Sequence, residues 1–222
     1  MNYYEDVYLR RLNRYGNTYA ERIMGQRIAE FEDYLLKSVY RVDFEYKGEL
    51  VAGTLERYKQ DETQTLQYLL TRLENNIDPG TVLMIKDKDG HERPWMVYYL
   101  EDIKASGYNR YIVLKMTHYL SWKDREGKNR KSWAYMYGQE NGTLINTLKS
   151  RVGSTTYVEN QNSNFFVMPL NEYIRRDTYI EIGTGALKEA YRVTGYDIQS
   201  TAGVEFVTID PIYLYDNSEK PV

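Results

Sequence analysis

Five cations crowd nine positions between two tryptophans. Lys123, Arg125, Lys128, Arg130 and Lys131 lie inside Trp122–Trp133, opposed only by Asp124 and Glu126. A local +3 charge beside aromatic faces suits contact with nucleic-acid phosphates, and such contact reads no bases. A solvated hairpin tip would carry the same residues. A rival for any DNA-facing role is the 139–164 loop, where Gly142, Gly153, Ser154 and a Gln/Asn run give reach.

Catalytic and metal chemistry finds little material. Asp87-Lys88-Asp89-Gly90 has the middle of an EF-hand loop. That register puts Ile85 first and Met96 twelfth, where carboxylates are needed, so the segment reads as a turn. Gly127-Lys128 lacks the earlier glycine of a phosphate-binding loop, and Asn129 stands where Ser or Thr should meet magnesium. Of two histidines, His91 sits at a turn edge and His118 on the apolar face of a strand. No neighbouring motif offers either one a nucleophile or a second ligand. Cysteine is absent, which excludes disulfides, thiol nucleophiles and thiolate metal sites. The expectation is no enzyme, with no catalytic, cofactor-binding or metal-binding residues.

The elements around these residues change period part-way along the chain. Tyr4, Val7, Tyr8, Leu12 and Tyr15 form a helical stripe over 2–15, and Gly16 stops it. Thr18-Tyr19-Ala20-Glu21 is a capping box opening a helix over about 18–38, with Ala20, Met24, Ile28, Phe31, Leu35 and Val39 as its stripe. Residues 40–46 alternate as a short strand. Leu66, Leu69, Leu70 and Leu73 predict a third helix over 60–73. Asp78-Pro79-Gly80 then breaks the chain.

Beyond the break the period is two. Thr81–Lys86 and Glu92–Leu100 read as a hairpin, and Tyr108–Trp122 as one long strand. A second hairpin turns at 125–128 and returns through Lys131–Tyr137. Residues 141–151 suit a short helix or a loop. Short strands follow at 155–159, 165–170, 178–182, 190–198 and 204–214. The predicted class is α+β, a helical N-terminal segment followed by a mainly antiparallel β-barrel or sandwich. The expected division is a helical arm over 1–79, a β domain over 80–215 and a loose tail over 216–222.

Composition supports a folded binding protein more than a polyanion sponge. Among 222 residues, 29 basic and 32 acidic side chains leave −3, so no global positive field exists. Tyrosine is in excess, 24 against five Phe and three Trp, and its polar-tipped ring suits wet interfaces. The start, MNYYEDVYLRR, has acids and arginines before any apolar run, unlike a signal peptide, and no run is long enough for a membrane span.

Four segments carry a family resemblance: Tyr3–Leu9 with Arg14-Tyr15-Gly16, Lys59–Arg72, Trp95–Tyr111, and Tyr191–Ser200 through Asp210-Pro211-Ile212. Together they resemble the head-closure, or head–tail connector, proteins in the neck of tailed bacteriophages of Gram-positive hosts. The resemblance implies a small barrel, SH3-like or related, in a homo-oligomeric ring of six or twelve. Portal and adaptor proteins would lie above it, tail or tail-completion proteins below, and packaged DNA in its channel. It implies a virion protein assembled in the bacterial cytoplasm, without cofactor or membrane. Within that reading Tyr3, Tyr4, Tyr8, Leu12 and Tyr15 form an assembly arm, and the basic hairpin faces the channel. A tail-completion or other neck protein stays open, as does a phage DNA-binding accessory enzyme or nuclease.

Overall fold

The computed structural model describes residues 18–58, 65–86, 90–103, 106–137, 164–183 and 188–212 (backbone alone at 197–201), with residues 4, 7, 8, 10 and 14–16. Its long helix begins where the capping box places it. Glu21 N donates to Thr18 Oγ1 at 3.2 Å, and Thr18 N donates to Glu21 Oε2 at 3.1 Å. These bonds satisfy two of the N–H groups that a helix start leaves orphaned. The helix, α1, spans Tyr19–Lys37. Only Phe31 and Leu35 of its stripe are buried, while Ile28 and Val39 stay exposed.

Among the described residues, two antiparallel sheets of six strands follow. The first contains β1 (Arg41–Tyr46), β2 (Glu49–Arg57), β3 (Leu66–Thr71), β4 (Val82–Lys86), β5 (Glu92–Glu101) and β6 (Asn109–Lys115), in the order β1-β2-β3-β6-β5-β4. The second contains β7 (His118–Lys123), β8 (Asn129–Tyr137), β9 (Asn164–Pro169), β10 (Tyr179–Ile182), β11 (Glu189–Thr201) and β12 (Val204–Pro211). It closes into a barrel, β10-β11-β12-β9-β8-β7, through pairs such as Ile180 with Trp122.

The structure corrects three expectations. Leu66, Leu69 and Leu70 lie on strand β3, not on a third helix. Leu69 enters the inner core of the first sheet, while Leu66 and Leu70 pack on its other face. A central strand covered on both faces buries leucines at any spacing, so a three-and-four pattern does not identify a helix there. The 1–79 segment is therefore not a helical subdomain. Its described residues hold three strands, and β3 ladders with β6 across the Pro79 break. Strand β2 was not expected at all. It follows a tight turn at Lys47 (φ 52°) and Gly48 (φ 82°), the left-handed pair of a two-residue hairpin.

The third correction concerns Tyr108–Trp122, which forms two strands in two different sheets. Met116 N donates to Pro94 O in the first sheet at 2.9 Å, and Thr117 N donates to Ala134 O in the barrel at 3.0 Å. Adjacent residues thus satisfy their backbone groups in different sheets, and the chain crosses there. The hairpins β4–β5 and β7–β8, and strands β9 to β12, occur close to their expected positions. The expected elements at 141–151, 155–159 and 216–222 lie outside the described residues.

Alternation along the barrel strands explains how the two sheets meet. On β8 and β9, Ala134, Met136, Phe166 and Met168 point into the barrel core with Leu120, Trp122, Ile180 and Val207. Their neighbours Tyr135, Tyr137, Phe165 and Val167 point outward. They pack with Met96, Tyr98, Ile112 and Leu114 of the first sheet. Tyr98 and Phe206 meet edge to face there, with ring centroids 6.4 Å apart. Part of the tyrosine excess is therefore internal: Tyr58, Tyr98 and Tyr111 are among the largest fully buried side chains.

Backbone also meets backbone at this junction. Gly80 (φ 85°) and Gly203 (φ 76°) face each other from the two sheets. A Cβ on Gly80 would collide with Gly203 O, and one on Gly203 with Pro79 O. Only glycine meets both demands, left-handed backbone and no side-chain volume.

Candidate functional site

The β7–β8 hairpin is organised by one carboxylate. Asp124 Oδ1 accepts from Glu126 N and Lys128 N, each at 2.9 Å, and Asp124 Oδ2 accepts from Arg130 Nε at 2.8 Å. Burial pushes the Asp124 carboxyl up. The Arg130 guanidinium and the two backbone N–H groups outweigh that, and its pKa lies below the ordinary carboxylate value. An aspartate that bonds backbone groups two and four residues ahead makes a tight, ordered tip. Arg130 also lies 3.7 Å over the ring of Tyr173, which belongs to the segment after β9.

That segment, 171–178, is held against the barrel from several directions. Ile174 is fully buried in the barrel core. Asn171 N donates to Glu205 Oε2 at 3.1 Å, Tyr173 N to Asn171 Oδ1 at 2.9 Å, and Asp177 N to Val193 O at 2.8 Å. Glu205 is itself fully buried on β12, and its Oε1 has no hydrogen-bond partner among the described residues. Burial raises its pKa to about 7, against the opposing pull of the Asn171 bond and the Arg175 charge.

Hairpin and segment line a cleft of about 790 Å³ together with Tyr179 and Glu181 of β10. Its cations are Lys123, Arg125 and Lys131 from the hairpin, Arg175 and Arg176 from the segment, and Lys188. Its carboxylates are Asp124, Asp177 and Glu181. Asp124 is committed to Arg130, and Glu181 to Lys188 at 2.7 Å. Among the described residues, five cations thus share the cleft with one carboxylate that has no ion pair, Asp177. Among the described residues none of the five has a carboxylate within ion-pair distance. Arg175 Nη1 donates to Ile174 O at 2.6 Å and Arg176 Nε to Thr194 O at 2.9 Å. Carbonyl partners orient a guanidinium without neutralising it.

The five hairpin cations named from sequence therefore divide. Lys123, Arg125 and Lys131 line the cleft and are exposed. Arg130 is engaged by Asp124 and Tyr173, and Lys128 pairs with Glu126 at 2.6 Å. Arg175 and Arg176 were missed. Adjacent arginines in a turn were the available signal, but they lie over forty residues from the hairpin, and only barrel closure joins them. The rival loop lies outside the described residues, except for Asn164 at the start of β9.

Of the expected arm, Tyr4 and Tyr8 have helical backbone and are 77% and 62% exposed. Tyr15 is partly exposed and packs its backbone on Gly25 of α1. Tyr3 and Leu12 lie outside the described residues. His91 is exposed. His118 is half-buried, its Nδ1 is 2.7 Å from Thr117 Oγ1, and burial lowers its pKa. Among the described residues, no three His, Asp or Glu side chains gather as a metal site. No described helix is long and apolar enough to cross a membrane.

No family model and no curated protein matches the chain. Solved structures similar to it include K. pneumonia MrkH bound to c-di-GMP, at 8% identity and a TM-score of 0.28 over 86% of this chain and 87% of that one. Another is the Borreliella burgdorferi PlzA protein in complex with c-di-GMP, at 6% identity and a TM-score of 0.25 over 86% of this chain and 95% of that one. Likeness at these values carries no argument about what this chain does.

Proposed function

We propose that this chain is a non-enzymatic structural protein of a tailed-phage neck. It forms a ring that closes the filled head, retains packaged DNA and presents a platform for the tail. Its barrel is of the small SH3-like or related kind. The observation that carries the reading is the cleft: a chain of net charge −3 gathers, at one place on its barrel, five cations that have no ion pair among the described residues. Around a ring of identical subunits that local charge repeats, so symmetry turns a weak patch into a positive annulus. The segments resembling head-closure proteins supply the context for assembly. Large exposed aromatics, Tyr4 and Tyr8 in the N-terminal segment and Tyr19 on α1, supply contact area for neighbours.

Cross-linking within intact virions tests the reading. Cross-links to portal or adaptor proteins on one side and tail-completion proteins on the other are expected. Absence of the chain from purified particles would sink it. Deletion of residues 1–16 sharpens the test. The barrel and first sheet should still melt cooperatively, while incorporation into particles is lost. Incorporation at wild-type levels would remove the arm from the assembly role.

A further inference from the structure

The cleft is assembled from parts that are fixed before any ligand arrives. Asp124 sets the hairpin tip, Glu205 tethers the 171–178 segment from inside the barrel, and Arg130 stacked on Tyr173 joins one wall to the other. Arg175 and Arg176, already held by carbonyl bonds, lose less conformational entropy on binding than free side chains would. A volume of about 790 Å³ with charge on both walls exceeds what one small anion can neutralise. It suits a ligand bearing several phosphates in a row. Duplex DNA carries about one negative charge per 1.7 Å of axis, and its ridge of phosphates can enter a cleft that the whole duplex cannot.

We propose that this cleft grips the phosphodiester backbone of nucleic acid, and that Arg175 and Arg176 take phosphates jointly with Lys123, Arg125 and Lys131. Arg130 and Asp124 are positioning residues that hold the walls at their spacing. Contact is independent of sequence, because the cations form a charge surface with no built base-reading pair. The inference rests on the reading that the chain meets DNA. It deepens that reading by naming what the cleft binds and which side chains on each wall bind it.

Fluorescence anisotropy of a labelled 20-base-pair duplex with the purified full-length chain tests it across a salt series. The double substitution Arg175→Ser with Arg176→Ser should flatten the dependence of log K on log salt by about 1.8, the release expected from two phosphate contacts. Lys123→Ser, Arg125→Ser and Lys131→Ser together should flatten it by about 2.7. Both losses should be the same for unrelated duplex sequences. Arg175→Lys with Arg176→Lys keeps the charge and should bind within a few-fold of wild type. Should the serine pair fail to fold, the lysine pair and the exposed hairpin triple still decide.

Wild-type binding by the hairpin triple, or by a folded serine pair, overturns the proposal. So does an absence of duplex binding by the wild-type chain. Complete displacement of DNA by inorganic phosphate, but not by chloride at equal ionic strength, would show a single-anion pocket and overturn it as well. These outcomes are separate from the neck reading. A chain that binds no duplex but cross-links to portal proteins keeps its place in the virion and loses the cleft together with its DNA-retaining role.

Discussion

The two sheets reach six strands by different routes, and each holds its buried carboxylate differently: Glu101 of the first sheet pairs with Arg110, whereas Glu205 of the barrel has no ion pair among the described residues. The barrel closes on itself by the β7–β10 ladder and leaves no free edge in its ring. In the first sheet β1 and β4 lie side by side over a shared core of Phe44, Leu83 and Ile85, yet no ladder joins them among the described residues. Its other face relies on neighbours. The barrel covers Leu66, Ile112 and Leu114, and α1 covers Leu70. A closed ring with its own interior can hold a buried carboxylate and anchor a charged segment from beneath.

The junction between the sheets offers the largest expected effect. Gly203→Ala or Gly80→Ala adds a methyl against a facing carbonyl and also strains a left-handed backbone. Together these should cost about 3 kcal/mol or more. Thermal unfolding should show a large fall in Tm, and splitting into two transitions would mean that each sheet folds without the other. An unchanged Tm in both variants would show that the close approach contributes nothing.

Glu205 comes next, because it tests whether the barrel interior differs from the first sheet in kind. Its folded pKa is about 7, above the ordinary 4.5. Below 4.5 both folded and unfolded chains hold the proton, so the group has no effect on stability. As pH rises from 4.5 towards 7 the unfolded chain releases its proton first, and stability falls. Above 7 the loss levels off at about 3 kcal/mol. Denaturant unfolding at pH 5 and pH 8.5 should show this fall, and Glu205→Gln should abolish most of it. An equal fall in the variant would assign the pH dependence to other groups.

The smallest effect belongs to the first sheet. Glu32 on α1 accepts from Arg72 Nε at 2.6 Å and from Arg72 Nη2 at 2.9 Å, a two-pronged pair that holds the helix to the end of β3. The Arg72 hydrogen bond keeps the Glu32 pKa below its ordinary value, so the contribution is present at neutral pH and lost as acid protonates the carboxylate. Both side chains are 36% exposed. Arg72→Ala should therefore cost only about 0.5–1 kcal/mol by denaturant unfolding, and less at high salt. A loss as large as that of the glycine variants would show α1 to be core and not cover.

Local chemistry determined much of this protein from sequence alone. The Thr18–Glu21 box, the turn at 125–128, the hairpin after Pro79 and the β strands near the C-terminus depend on residues close in the chain, and they occur where local rules place them. The hairpin's basic character is likewise local. Tertiary structure decided the rest. Leu66–Thr71 became a strand because both faces are covered, and the 108–122 run divided because Met116 and Thr117 found partners in different sheets. The site followed the same division. Lys123, Arg125 and Lys131 were readable as a charge run, whereas Arg175 and Arg176 joined them only through closure of the barrel. A periodic pattern records which residues are buried, but not how many faces of an element are covered, nor which distant segment covers them.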